Sequence, residues 1–158
     1  MNEKDYYINI RQWAHDRNII EGLTPHSQFV KLVEEFSEIH ADPLDGIGDS
    51  LVVMTIICAM RGINIEDIMA VERDDKSSHT LTALGYLAGD IARGRCIIDS
   101  IQNLKYVIHG YCWQHRVKVV DALAQAWNEI KGRKGKVIDG CFVKSEDLDE
   151  KTEEVQRS

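Results

Sequence analysis

The sequence predicts an all-α fold: a helical bundle with a tandem-duplicated four-helix core and a short C-terminal hairpin. Three observations carry that expectation. Proline occurs only twice, at Pro25 and Pro43, which disfavours a turn-rich all-β fold. Apolar residues recur at helical spacing through most of the chain. Residues 45–70 also align without a gap onto residues 99–124, with six identities: Asp45/Asp99, Ile47/Ile101, Val53/Val107, Cys58/Cys112, Asp67/Asp121 and Ala70/Ala124. With 158 residues and 44% hydrophobic content, the chain can bury a core without disulfide or metal staples.

Taken in order, the first helix is expected over about residues 5–17, with Ile10, Trp13, Ala14 and Arg17 on related faces. Glu21-Gly-Leu-Thr-Pro25 breaks it. Thr24 then caps a second helix with Pro25 in its first turn. That helix, about residues 26–40, carries Phe29, Leu32, Val33, Phe36 and Ile39, with Glu34, Glu35 and Glu38 between them. A third helix, about residues 44–61, is apolar nearly all round from Leu51 to Met60 and should be the buried centre of the bundle. Gly62 is its natural stop. A short fourth helix follows from near Asn64 to about Arg73.

The stretch from Asp74 to Ser78 reads as a linker. Beyond it, residues 84–91 are the expected second copy of the Glu-bearing helix. The first repeat therefore covers about residues 26–73 and the second about 80–130, within one helical domain of residues 1–144. The second copy lacks the acids: Asn103 stands where Asp49 is, and Leu87 and Asp90 occupy the region of Glu35 and Glu38. A helix continues over residues 122–131. Asp139-Gly140 between apolar pairs signals a hairpin. Residues 145–158, with six acids and two bases, should form a flexible acidic tail.

Several function classes are disfavoured at this stage. A net charge of −7 does not suit a general nucleic-acid binder, whose footprint is basic. The charged N-terminal residues do not read as a signal peptide, and the run from Leu51 to Met60 is too short to span a bilayer, so no membrane partner is expected. Cys58, Cys96, Cys112 and Cys141 form no CxxC pair, which fits a reducing, cytoplasmic setting and disfavours zinc. The six histidines show no ligand spacing, no serine or cysteine has a nucleophile setting, and no P-loop is present.

What remains is a concentration of carboxylates. Glu35 and Glu38, three apart, share one helix face, and Asp45 and Asp49, four apart, do the same on the next helix. An antiparallel pairing across the short loop at residues 41–43 would bring the four together. Like charges so close are unfavourable without a cation, and hard oxygen donors suit Mg²⁺ or Mn²⁺. The alternative is a solvated acidic face. Against it stands Asp49, at the start of a nearly all-apolar helix where an unpaired acid is costly. Lys131, Arg133, Lys134 and Lys136 form the one dense basic cluster, suited either to phosphate oxygens or to a solvated helix end. Gln28 and Lys31 lie one to two turns before Glu35 and can face the same pocket.

Glu34-Glu35-Phe-Ser-Glu38, followed by Asp45-Gly-Ile-Gly-Asp49 running into an apolar helix, resembles the MazG-like all-α nucleoside triphosphate pyrophosphohydrolases. Ile10-Arg-Gln-Trp13 through Ile20, and the closing segment from Trp127 through Lys144, resemble phage-encoded members. The resemblance covers about residues 8–73 and 126–148. It implies a MazG-like helical bundle that hydrolyses a nucleoside triphosphate to monophosphate and pyrophosphate with Mg²⁺. It also implies Glu35, Glu38 and Asp49 as metal ligands and Glu35 or Glu38 as the catalytic carboxylate. The usual second motif is ExxD, and its Glu falls on Gly46 here, so one carboxylate is missing; Asp45 is the nearest substitute. In such families two subunits pair, so a duplicated chain is similar to that pair fused, with the second copy as scaffold. A fused pair can still form a homo-oligomer. Tyr106, Tyr111 and Trp113 are candidates for base stacking or for plain core packing. Two rival expectations are a nucleotide- or alarmone-binding protein without turnover and a helical partner-binding protein.

Overall fold

Asn2 opens the first helix by accepting from the Asp5 backbone while Asp5 returns the bond to the Asn2 N–H, a capping box. Helix α1 therefore starts earlier than its apolar pattern does, spanning Glu3–Asp16. The structure is a computed structural model and describes residues 1–72 and 79–148. Asn18, in the left-handed region at φ 57°, turns the chain into a short helix, α2, Ile19–Gly22, where the sequence suggested only a break. The Thr24–Ser27 capping box and Pro25 then start α3, Pro25–Glu38.

Asp42 caps α4, Pro43–Met60, by accepting from the Asp45 backbone. This helix is buried continuously from Gly46 to Cys58 except at Asp49. It is long and apolar enough by composition to cross a membrane, but 67% of it lies inside the protein, packed against α3 and α1 among others. It is the core around which the fold is built. The next helix, α5, Ile65–Met69, ends well short of the expected residue 73. It is tied to α1 by two parallel bonds of 2.8 Å from Arg11 to Glu66.

The remaining helices are α6, Thr80–Ala92, α7, Ile98–His115, and α8, Val119–Ile130. A hairpin follows, in which β1, Gly135–Ile138, pairs antiparallel with β2, Cys141–Lys144. Its two turn residues, Asp139 at φ 50° and Gly140 at φ 75°, have the positive angles that a tight two-residue connection needs. Among the described residues the architecture is all-α, with this hairpin as its only sheet. The expected linker from Asp74 to Ser78 lies outside the described residues, as do residues 149–158 of the expected tail. Residues 145–148, assigned to that tail, instead form a helical turn.

The 54-residue offset is visible in the local geometry. Helix α4 ends with Gly62 at φ 69°, a Gly62 N–H bond to Ala59 and an Ile63 N–H bond of 2.9 Å to Cys58. Helix α7 ends with Arg116 at φ 57°, an Arg116 N–H bond to Trp113 and a Val117 N–H bond of 2.9 Å to Cys112. Both are the same left-handed cap, made by residues at matching positions. The helices exchange partners in the same sense: α3 packs on α4 and α6 on α7, while α4 packs on α8 and α7 on α5.

Candidate functional site

The carboxylates are placed by how closely α3 and α4 approach. Gly46 sits against the end of α3, where a Cβ would lie 2.8 Å from the Cα of Ile39. At that level there is no room for a side chain between the helices. Glu38, beside the pinch, is exposed at the end of α3. One turn further along α4, Asp49 and the buried Glu35 face a cavity of about 550 Å³. The geometry thus corrects the expectation of four converging acids. It brings together two.

Asp45 is turned towards α8, where Gln125 donates to its Oδ1 at 3.2 Å. It does not line the cavity, but its charge is felt there. Burial pushes the Asp49 carboxyl up to about 6, and Glu35, Asp45 and Glu129 push in the same direction against the pull of Arg133. Among the described residues, no three His, Cys, Asp or Glu side chains converge closely enough to hold a metal ion.

Of the expected substrate-binding residues, Gln28, Lys31 and Arg133 line the cavity. Gln28, Lys31 and Glu35 form one stripe along α3, at i, i+3 and i+7. The Lys31 ammonium sits 2.6 Å from Glu35 Oε1 and 3.2 Å from Glu34 Oε2. Although burial alone would lower its pKa, the bonds to these carboxylates hold it above the usual lysine range. Lys131 is not at the site; it is exposed and donates to Asn128 at 2.7 Å. Lys134 is exposed too and does not line the cavity. The helix ends just before this basic cluster, so its side chains fan out, and Arg133 is the member that points home.

Several cavity residues escaped the sequence. The hairpin contributes Phe142 and Lys144 to the lining, and Asp147 follows on the next turn. Trp13 lines the cavity beside the hairpin; its ring meets Phe142 edge-on at 6.1 Å, and the Arg17 guanidinium lies 5.0 Å above it. Arg17 also donates to the Arg133 carbonyl at 2.6 Å, fixing α1 to the segment that leads into the hairpin. Trp13 and Lys144 lie in segments whose residue pattern was informative, but nothing in their spacing marked them as site residues. Glu129, which acts on Asp49 through its charge without lining the cavity, was not singled out either. Tyr106, Tyr111 and Trp113 do not line this cavity. Tyr111 packs with Phe36, His40 and His115, and Trp113 is exposed.

The lining combines apolar side chains, Trp13, Ile19, Leu23, Val53, Ile56 and Phe142 among them, with the charged Lys31, Glu35, Asp49, Arg133, Lys144 and Asp147.

Part of the chain has a relative. A protein of Haemophilus phage HP1 (strain HP1c1), described as an uncharacterized 18.2 kDa protein in the rep-hol intergenic region, is 44% identical over 64 residues. The match covers 35% of this chain and 39% of the relative. This chain is therefore similar to a phage protein over part of its length. No family model matches it, and no solved structure does.

Proposed function

We propose that the chain is a Mg²⁺-dependent nucleoside triphosphate pyrophosphohydrolase, releasing nucleoside monophosphate and pyrophosphate. The observation that carries this is the pairing of Glu35 with Asp49 in a cavity that is also lined by three cationic side chains and by apolar ones. Such a lining offers a nucleotide apolar contacts for its base and charged groups for its phosphates. The motif resemblance to the MazG-like family points the same way.

Two carboxylates suffice for Mg²⁺ that arrives on phosphates, because this ion keeps waters and needs few protein ligands. Their oxygen chemistry fits, and Asp49, crowded by like charges, is a group that a cation would relieve. Glu35 and Asp49 would hold the ion, which supplies charge neutralisation of the phosphate oxygens. The chain's own residues do the rest. Arg133 and Lys144 bind phosphate oxygens, with Arg133 offering a planar fork of donors. Lys31 holds the Glu35 carboxylate in place until phosphate competes for it. The carboxylate of Asp49 accepts the proton of the attacking water.

A pyrophosphate-release assay over a panel of nucleoside triphosphates, with and without Mg²⁺ or Mn²⁺, tests this. Glu35→Gln should lower kcat/KM by about a hundredfold or more, whereas Glu38→Gln should stay near wild type. Absence of metal-dependent pyrophosphate, or full activity in Glu35→Gln, overturns the proposal.

One observation favours a second reading, a nucleotide- or alarmone-binding protein without turnover. Gly46 leaves no space for a further carboxylate, and Lys31 already neutralises Glu35. Calorimetry that finds tight nucleotide binding in a sample releasing no pyrophosphate would select it.

A further inference from the structure

The left-handed cap that ends α4 and α7 is built from different materials in the two copies. The first uses Ala59, Gly62 and Asn64; at the matching positions, 54 residues on, stand Trp113, Arg116 and Lys118. Gly62 suits its positive φ, and Asn64 suits the N-cap of α5. Arg116 is held at φ 57°, where a side chain is strained, and Lys118 takes the N-cap of α8, where its charge opposes the helix dipole. Trp113, 87% exposed, is the most exposed large apolar side chain among the described residues. The first copy shows that the turn needs none of the three. Residues that break local rules together, with no gain to the fold, are expected at functional sites.

The three line one surface recess with Cys112, Gln114 and Val117. Arg116 and Lys118 are exposed, and neither side chain has a hydrogen bond or an ion pair among the described residues. Residues 100–118 contain Lys105, Arg116 and Lys118 and no Asp or Glu. Glu3, whose charge reaches Cys112, and Asp121, which follows in α8, do not line the recess.

We propose that the end of α7 is a binding site for single-stranded nucleic acid, with a base stacked on the Trp113 indole and the flanking phosphates on Arg116 and Lys118. An open aromatic face beside unpaired cations is the chemistry that holds such strands without regard to sequence. The net charge of −7 disfavours a footprint spread over the whole surface, but the lining of this recess carries no acid. A lipid surface fits less well. It calls for several exposed apolar side chains together, whereas Cys112 is buried and Val117 half-buried beside Trp113. The recess shares no lining residue with the cavity of Glu35 and Asp49, so the site stands or falls independently of the hydrolase reading.

Anisotropy of a fluorescein-labelled oligothymidylate, titrated with the full chain at low salt, tests this. Trp113→Ala should weaken binding by about five- to hundredfold. Arg116→Gly keeps a residue suited to the cap, as Gly62 is in the first copy, so its loss of affinity is not a loss of fold. It should also reduce the slope of log affinity against log salt by about 0.7. The single strand should bind more tightly than its duplex with oligoadenylate, in which the base faces are covered. No binding of the oligonucleotide, undiminished binding in Trp113→Ala, or equal affinity for the duplex overturns the proposal. Binding abolished by Arg133→Ala and untouched by Trp113→Ala also overturns it, by placing the strand in the other cavity. Vesicles of phosphatidylcholine and phosphatidylserine are the last probe. If they bind through Trp113 while the oligonucleotide does not, the site is a membrane contact and the proposal falls.

Discussion

At the start of α4 stand Gly46 and Gly48; at the matching positions of α7, 54 residues on, stand Ser100 and Gln102. The glycines let backbones meet, because a Cβ on Gly48 would lie 2.5 Å from the Ala122 carbonyl oxygen. The other pair fills its space with polar groups. Ser100 donates to Asp90 of α6, and Gln102 donates to the Val71 carbonyl at 3.2 Å. Further along, Leu51 is fully buried, whereas its counterpart Lys105 is buried with its ammonium on the Met69 and Val71 carbonyls at 2.8 and 2.7 Å. One half of the molecule packs backbone on backbone and keeps Glu35 and Asp49 for a cavity. The other ties its polar side chains to helix ends.

The sharpest break of this contrast is steric. Gly48→Ala should cost about 2–3 kcal/mol by forcing α4 from α8, read from the urea midpoint. Gly85→Ala, on a face of α6 with nothing within 4 Å, should instead stabilise by roughly 0.5–1 kcal/mol. The same substitution thus has opposite signs in the two halves; equal signs would refute the close-approach argument. Lys105→Met, which makes α7 more like α4, should cost about 1–3 kcal/mol, because the Met69 carbonyl loses its side-chain donor and the Val71 carbonyl keeps only Gln102. Thermal unfolding measures it.

Asp49 gives a pH test of the acid-bearing half. Its folded carboxyl titrates near 6, against 3.8 for the ordinary group, so its burden on the fold is fully present above about 6. Stability should rise as pH falls from 7 towards 4, the unfolded chain binding fewer protons there. In chelator-treated protein, Asp49→Asn should gain about 1–2 kcal/mol at pH 7, discounted for its partial exposure, and flatten that rise. Denaturant titrations at several pH values decide it; an unaltered slope would show that Asp49 is not the group. The smallest effect concerns the shared cap. Arg116→Gly should stabilise by about 0.5–1 kcal/mol by removing a side chain from a left-handed position that Gly62 already occupies freely in the other half.

Much of the fold was legible. The α3 cap at Thr24, the uniform apolarity of α4, the Gly62 stop and the Asp139-Gly140 turn each have a local cause, and each stands where its chemistry says. The site was legible only in part, because helical spacing tells which acids share a face but not how far apart two faces lie. Gly46 decides that distance. Its role is a contact with Ile39, which no one-dimensional pattern records, and it explains why Asp49 and Glu35 are together while Glu38 is not. Trp13, Phe142, Lys144 and Asp147 come from opposite ends of the chain, and only the tertiary path joins them.

The partnership of α4 with α8 has a consequence for biosynthesis. The most apolar helix of the protein leaves the ribosome with one of its main coverings still unmade, since residues 61–118 must be translated before α8 exists. At about 5–20 residues per second, that interval lasts several seconds. In that window the flank of α4 later covered by Ala122 is open to other apolar surfaces, including α4 of a neighbouring nascent chain. A slow stretch of translation before α8 would favour aggregation, and supplying α8 early as a separate peptide should suppress it.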